Sequence, residues 1–301
     1  MHWIGVKRMR LKQAVKRKLF QWIAFGYSNA HVLNWKDGNI YKGKWKQFCN
    51  PGLNCYSCPA ASFACPIGAL QAVNGSMKFD FSFYVVGFLL AFGVLLGRAV
   101  CGWLCPFGLL QELIHKIPSP KLKLKKGLLY IKYLVLIVFV ILLPIVATNY
   151  MGMGKPAFCQ FICPAGTLEG GIPLLSTHSE LQQTIGSLFS LKMLILIITI
   201  IGSIIVYRFF CRVICPLGAI YGLMNKISIY RLEVDPHQCV NCGKCKKVCK
   251  MEVDPVQKPD SAECIRCGAC AEICPKKAIT LGFHTKASAE STAFVQQQNK
   301  K

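Results

Sequence analysis

Eighteen of the 301 residues are cysteines, and their spacing carries the chemistry. Late in the chain, Cys239-x2-Cys242-x2-Cys245-x3-Cys249 is followed by Cys264-x2-Cys267-x2-Cys270-x3-Cys274-Pro275. Two residues between thiolates let one tight loop wrap three corners of an iron–sulfur cube, while a distant fourth thiolate closes the site. In tandem runs of this spacing the fourth cysteine of each run ligates the other cluster. One [4Fe–4S] centre is therefore expected on Cys239, Cys242, Cys245 and Cys274, and a second on Cys249, Cys264, Cys267 and Cys270. Lys250 replaces the proline usual after Cys249 and leaves the ligands intact. Zinc motifs rarely use two tandem runs of four.

The middle of the chain repeats a shorter motif. Arg98-Ala-Val-Cys101-Gly-Trp-Leu-Cys105-Pro106-Phe-Gly108 matches Arg208-Phe-Phe-Cys211-Arg-Val-Ile-Cys215-Pro216-Leu-Gly218 at a constant offset of 110. Two thiolates from each copy make the four a cube needs, so Cys101, Cys105, Cys211 and Cys215 are expected to hold a third, inner centre. Pro106 and Pro216 can open the next helix, where a missing N–H costs nothing, and a helix N-terminus turns its positive end to the anionic cluster. Arg98 and Arg208 precede each first cysteine by three residues and can neutralise that charge. Either alone reads more readily as a snorkelling interface arginine; their equal placement favours the cluster.

A second repeated pair precedes these. Cys65-Pro66-Ile-Gly-Ala-Leu matches Cys163-Pro164-Ala-Gly-Thr-Leu. The two segments hold Cys49, Cys55, Cys58, Cys65, Cys159 and Cys163. A fourth, outer centre is expected on Cys58, Cys65, Cys159 and Cys163, with Cys55 the alternative to Cys58. Cys49 and Cys55 are then spare, and a disulfide between them would use both. Disulfides throughout are the competing reading, because thiols on an oxidising face often pair.

These motifs need a membrane frame. The chain is 53% hydrophobic and 16% charged, with mean hydropathy +0.40, against about 25% charged residues in soluble domains. Leu128–Thr148 is apolar except for Lys132, Leu191–Tyr207 except for Lys192, and Phe81–Val100 except for Arg98. Leu19–Leu33 is a weaker run containing Gln21, Ser28, Asn29 and His31. Four spans are expected, each needing about 20 residues. Lys7, Arg8, Arg10, Lys12, Lys16, Arg17 and Lys18 place the N-terminus in the cytoplasm, as Lys116, Lys121, Lys123, Lys125 and Lys126 do the loop between spans two and three. The loops 34–80 and 149–183 then face out. Lys36, Lys42, Lys44, Lys46 and Lys78 against Asp37 and Asp80 run counter to that side for the first loop. The fold class is a mostly α membrane protein, its four helices a parallel 2+2 repeat about an axis along the membrane normal, with a small α+β two-cluster domain at the C-terminus. The expected parts are a basic cytoplasmic N-terminus (1–18), a first membrane repeat (19–127), a second (128–230), a 2[4Fe–4S] domain (231–283) and a disordered tail (284–301). The N-terminus lacks the small-residue cleavage pattern of a signal peptide.

The formal net charge of +23 is offset by about −8 from four oxidised cubes with four thiolates each, leaving about +15. Anionic lipid headgroups account best for the cytoplasmic surplus, and an acidic soluble ferredoxin or flavodoxin is a second use. Nothing supports nucleic-acid binding. His31 and His115 read as interface or packing histidines, since no histidine pair at matching depth would hold haem. Trp3, Trp22, Trp35 and Trp45 read as an interfacial aromatic belt. No phosphate loop or nucleophile triad is present.

The four spans, the Cys101/Cys105 and Cys211/Cys215 motifs and the C-terminal double run resemble the NapH-type membrane polyferredoxins. The resemblance covers roughly residues 10–282. It implies a multi-pass cell-membrane protein with both termini cytoplasmic. Nitrous-oxide-reductase maturation proteins and cytochrome-oxidase assembly ferredoxins are similar in their membrane parts. The outer cysteines, Cys49 to Cys65 and Cys159 to Cys163, depart from the family and suggest centres on both faces. The expected function is electron transfer between the cytoplasmic clusters and a membrane or extracytoplasmic reductase or flavoprotein, the protein being a subunit of a complex. A quinone or flavin reached through a partner stays open as a further cofactor. A quinol-dehydrogenase subunit feeding a reductase is one alternative; an iron–sulfur sensor or assembly factor is another. The chain itself makes no bonds.

Overall fold

The computed structural model describes residues 2–76, 82–149, 154–183 and 185–283. Lys78, Asp80, Phe81 and the tail 284–301 lie outside them, as do the side chains of Lys7, Arg8, Arg10 and Lys12. The principal elements, in chain order, are α1 (His2–Ser28), α2 (Pro66–Gly75), α3 (Phe83–Leu96), α4 (Ala99–Trp103), α5 (Pro106–Ile114), α6 (Lys126–Val146), α7 (Ser187–Ile205), α8 (Phe209–Val213), α9 (Pro216–Met224), β1 (Tyr230–Val234), α10 (Lys244–Val248), α11 (Ala269–Ile273) and β2 (Ile279–Phe283). The protein is mostly helical, with its one described sheet at the C-terminal end.

Among the described residues, two helices are long and apolar enough to cross a membrane, α6 and α7. The apolar α3 has 14 residues, about 21 Å of helix, short of a hydrocarbon core of about 30 Å. Hydropathy runs on from Phe83 to Val100, but the helix stops at Leu96 because Gly97 turns left-handed at φ +55. A Cβ there would meet Asn225 Oδ1 at 2.6 Å and Arg266 Nη1 at 2.9 Å, so only glycine fits. The weak run Leu19–Leu33 continues α1 to Ser28 and then breaks into turns.

In α6 a π-helical stretch, Leu136–Leu142, precedes Pro144. Proline lacks the N–H that would bond the carbonyl four residues back, and its ring crowds that carbonyl; widening the helix relieves the clash. The carbonyl concerned is that of Val140, and it accepts a 2.9 Å hydrogen bond from Asn74 Nδ2.

The described residues fall into two compact units. The first gathers the described residues of 1–21, 91–103 and 220–283; the second holds those of 22–90 and 104–219. In the first, β1 and β2 pair antiparallel from Tyr230↔Phe283 to Val234↔Ile279, and Leu232, Val234, Cys245 and Ile279 form a core beneath them. α1 lies along this unit: Gln21 Nε2 donates to the Gly102 carbonyl at 2.9 Å and the Gln13 N–H to Glu272 Oε1 at 3.2 Å. Asn225 Nδ2 donates to the carbonyls of Ser261 and Cys264 at 2.8 and 2.9 Å, and Arg266 donates to those of Leu96 and Asn225 at 3.1 and 2.8 Å. A Cβ on Gly102 would overlap the Ile265 carbonyl oxygen. Gly102→Val is therefore expected to cost about 1–3 kcal/mol by overpacking, read as a lower melting temperature of the purified protein, with Gly87→Val, which meets nothing within 4 Å, as the silent control.

Candidate iron–sulfur centres

In the first unit the two C-terminal runs close on two cavities. Cys239, Cys242, Cys245 and Cys274 line one; Cys249, Cys264, Cys267 and Cys270 line the other. The runs are conformational copies. Asn241 and Gly243 are left-handed at φ 47 and 68, Arg266 and Gly268 at φ 50 and 80, and Glu252 and Lys277 at φ 59 and 53. Each left-handed residue bends the loop so that successive N–H groups face inward, the geometry of an anion nest. Burial pushes the Cys264 thiol up to about 11 and raises Cys245 and Cys270. Such thiols stay protonated until a cation replaces the proton, as iron does.

Four further Cys-Pro pairs, at Cys65, Cys105, Cys163 and Cys215, are followed by x-Gly, whereas Cys58-Pro59 is not, and the second unit contains all four motifs up to that glycine. Cys65 and Cys105 are N-caps held extended, at φ −74, ψ 125 and φ −78, ψ 117, because the proline that follows excludes the helical region. The carbonyls of Cys65, Cys105, Cys163 and Cys215 each accept the first helical bond, from Ala69, Leu109, Thr167 and Ala219. The N–H of the motif glycine donates to sulfur at 3.4 Å in Cys105, Cys163 and Cys215. The sequence thus fixes each thiol over the positive end of a helix.

The outer group differs from the sequence expectation at one position. Cys65, Cys159 and Cys163 come together, and the fourth thiol among them is Cys55, not Cys58. Cys55 closes a turn whose N–H at Cys58 bonds its carbonyl at 3.2 Å; this sends the Cys58 thiol away, toward the amides of Ala60 and Ala61 and toward Trp35. Cys55 and Cys49 are not joined, and Cys49 is a buried thiol whose N–H bonds Tyr84 Oη at 3.3 Å. The spacing could not distinguish Cys55 from Cys58, because this copy alone lacks a second cysteine four residues before its Cys-Pro. Burial pushes Cys65 up to about 12 and raises Cys163 well above the usual thiol range, with the neighbouring thiols adding to it.

Three further residues of this group carried no sequence signal. Buried Lys46 donates to the Ala61 carbonyl at 2.8 Å; burial lowers its pKa, and Cys58 and Cys55 hold it up. Glu169 accepts the Cys55 N–H at 2.8 Å, and burial pushes its carboxyl up to about 7. Gln71 donates to Cys159 Sγ at 3.2 Å.

In the inner group Cys105, Cys211 and Cys215 belong to the second unit and Cys101 to the first. Gln111 donates to Cys211 Sγ at 3.0 Å. Arg208 lies within electrostatic reach of Cys211 and Cys105, but it also pairs with buried Glu112 at 2.6 Å, where Tyr207 Oη donates at 2.7 Å. Arg98 likewise has a carboxylate, Glu263 at 2.9 Å, and its N–H bonds Asn225 Oδ1 at 2.8 Å. Both arginines are therefore ion-paired as well as placed before a motif. Gly52 packs on Cys105: a Cβ would lie 2.6 Å from Cys105 Cα, and the Leu53 carbonyl is 4.0 Å from Cys105 Sγ.

These residues fit a cube. Among the described residues no set of three or more His, Cys, Asp or Glu converges to hold a single metal ion, whereas a cube spreads its thiolates over four corners. A Cβ on Gly68 would project to 3.8 Å from Cys159 Sγ, and one on Gly166 to 3.8 Å from both Cys163 Sγ and Cys55 Sγ; the two glycines keep the space between the thiols open.

Fold and thiol groups together define an iron–sulfur protein. The description "4Fe-4S dicluster domain" matches residues 231–275, and "4Fe-4S binding domain" matches 81–125, 133–176 and 191–231. An uncharacterized protein of Methanocaldococcus jannaschii is 29% identical over 67% of this chain and 70% of its own. An Escherichia coli protein named for electron transport, YccM, is 29% identical over 55% of this chain and 44% of its own, and the ferredoxin-type protein NapH of Haemophilus influenzae is 24% identical over 54% and 50%. The chain thus spans about half the length of the last two. No solved structure matches. The chain belongs to the NapH-type 4Fe–4S ferredoxin-type electron-transport proteins.

Cys55→Ser is expected to remove about four iron atoms per chain and Cys58→Ser none, measured by iron assay of anaerobically purified protein. Glu112→Ala, which leaves the Arg208 charge without its carboxylate, is expected to destabilise by about 3–5 kcal/mol in thermal unfolding.

Proposed function

We propose that this protein is a membrane electron relay with four [4Fe–4S] centres. They sit on Cys239, Cys242, Cys245 and Cys274; on Cys249, Cys264, Cys267 and Cys270; on Cys101, Cys105, Cys211 and Cys215; and on Cys55, Cys65, Cys159 and Cys163. The place of Cys101 rests on the sequence repeat. Bound clusters supply one-electron carriers, and the chain positions them.

The observation that carries the reading is a series of short protein links between the thiol groups. The Leu53 carbonyl stands 4.0 Å from Cys105 Sγ, and Cys55 is two residues further on, at most about 7 Å of chain. Cys105 follows Cys101 by four residues, and Gly102 packs on the Ile265 carbonyl beside Cys264. Electron tunnelling falls off exponentially with distance, so links of this length suit direct transfer. They favour outer and inner centres close enough for direct transfer over centres parted by the full bilayer.

The finer arrangement is part of the same reading. Four crossings would form the parallel 2+2 repeat, with α1 and α3 joining α6 and α7, and a short α3 is tolerable where protein surrounds its ends. The contacts of α1 with Gly102 and Glu272 support an N-terminus on the side of the C-terminal clusters, which the basic loops make cytoplasmic. The redox partners are then a soluble ferredoxin or flavodoxin on that side and a membrane or extracytoplasmic redox protein on the other.

Anaerobically purified protein should hold about 16 iron and 16 sulfide per chain. In sealed vesicles a donor confined to the cytoplasmic side should reduce every centre. An outer centre that stays oxidised until a quinone or partner is added would rule out transfer within this chain.

A further inference from the structure

Two buried glutamines occupy one position in two motifs. Gln71 lies six residues after Cys65, and Gln111 six residues after Cys105. Each amide makes the same three bonds. Gln71 Nε2 donates to the Ile67 carbonyl at 3.2 Å and to Cys159 Sγ at 3.2 Å, while its Oε1 accepts the Phe158 N–H at 2.8 Å. Gln111 Nε2 donates to the Phe107 carbonyl at 3.4 Å and to Cys211 Sγ at 3.0 Å, while its Oε1 accepts the Phe210 N–H at 3.1 Å. The partners correspond as well: carbonyls four residues back, and phenylalanines directly before each cysteine.

The bonds settle which way each amide faces. Turned over, Oε1 would meet a carbonyl oxygen and a sulfur, and Nε2 would meet an N–H; only the stated orientation satisfies every group. The glutamine therefore places an N–H on one chosen thiol, always the first cysteine of the second-half pair. The corresponding positions after Cys163 and Cys215 carry Glu169 and Tyr221, so each group has one such amide.

We propose that Gln71 and Gln111 are equivalent positioning residues which seat Cys159 and Cys211 and, through the N–H···S bond, raise the reduction potentials of the outer and inner centres. This rests on the cluster assignment above. A donor draws charge from the thiolate and so favours the more anionic, reduced cluster; hydrogen bonds to sulfur are one of the protein's means of setting potential.

The test is a redox titration, followed by electron paramagnetic resonance, of the full-length protein with Gln71→Leu and Gln111→Leu. Each variant should keep its iron and lower the midpoint of a single centre, a different one in each. Full iron with unchanged midpoints overturns the proposal, as does a shift of the same centre by both. Should a leucine form lose iron, Gln71→Glu or Gln111→Glu keeps the acceptor for the phenylalanine N–H. It should restore the iron at a lowered midpoint; restoration at the original midpoint, or no restoration, overturns the proposal. A parent protein with only the two C-terminal centres refutes the cluster assignment instead, before any variant is made.

Discussion

A cysteine held at a helix N-cap by the proline after it is the unit on which the thiol groups before the C-terminal runs depend. Proline excludes the helical region for the residue before it, so the cysteine stays extended while its carbonyl starts the helix. Its sulfur then lies over the first turn, where helices keep unpaired N–H groups and a positive end. The glycine three residues on supplies one of those N–H groups and adds no side chain to the space beyond. Cys65, Cys105, Cys163 and Cys215 are four copies of this solution, and α2, α5 and α9 are the helices that three of them start.

Burial gives the unit its chemical bias. A thiol removed from water resists ionisation, and several together resist it more, as Cys55, Cys65 and Cys163 do. Such a group is costly as thiolates and well suited to iron, which supplies the missing positive charge. The surroundings act on the same balance. Lys46 and Arg208 bring cations near, while Gln71 and Gln111 bring donors without charge. The carboxylates of Glu112 and Glu263 keep Arg208 and Arg98 from standing as isolated buried charges.

The C-terminal runs reach the same end by another route. They have no long helices, so left-handed residues at Asn241, Gly243, Arg266 and Gly268 turn the N–H groups inward. Asn225 and Arg266 then tie the second run to the turn at Gly97, whose lack of a Cβ lets them approach. The glycine that ends α3 early thus also admits the anchor of the second run.

Much of this was legible in the residues. Ligand spacing within a loop is a local property, so the tandem runs state their own groups, and the cysteines around the two C-terminal cavities are those the spacing names. The Cys-Pro units are local for the same reason. Apolar length is legible too, but only as length: it could not register that Gly97 would break one run or that Pro144 would widen another helix and free the Val140 carbonyl for Asn74. Where the repeat was irregular, the sequence offered both Cys55 and Cys58. The choice fell to a turn that points one thiol inward and the other away. The glutamines were silent as well, since a Gln in a helix has no motif until the chain folds back and sets a sulfur and an N–H before it. Sequence alone determined the spacing of the thiols and the Cys-Pro caps, because both are local to one loop. Tertiary structure alone decided that Cys55 and not Cys58 joins Cys65, Cys159 and Cys163, and that Gln71 and Gln111 face Cys159 and Cys211, because each glutamine lies 88 or 100 residues from its thiol and meets it only through packing.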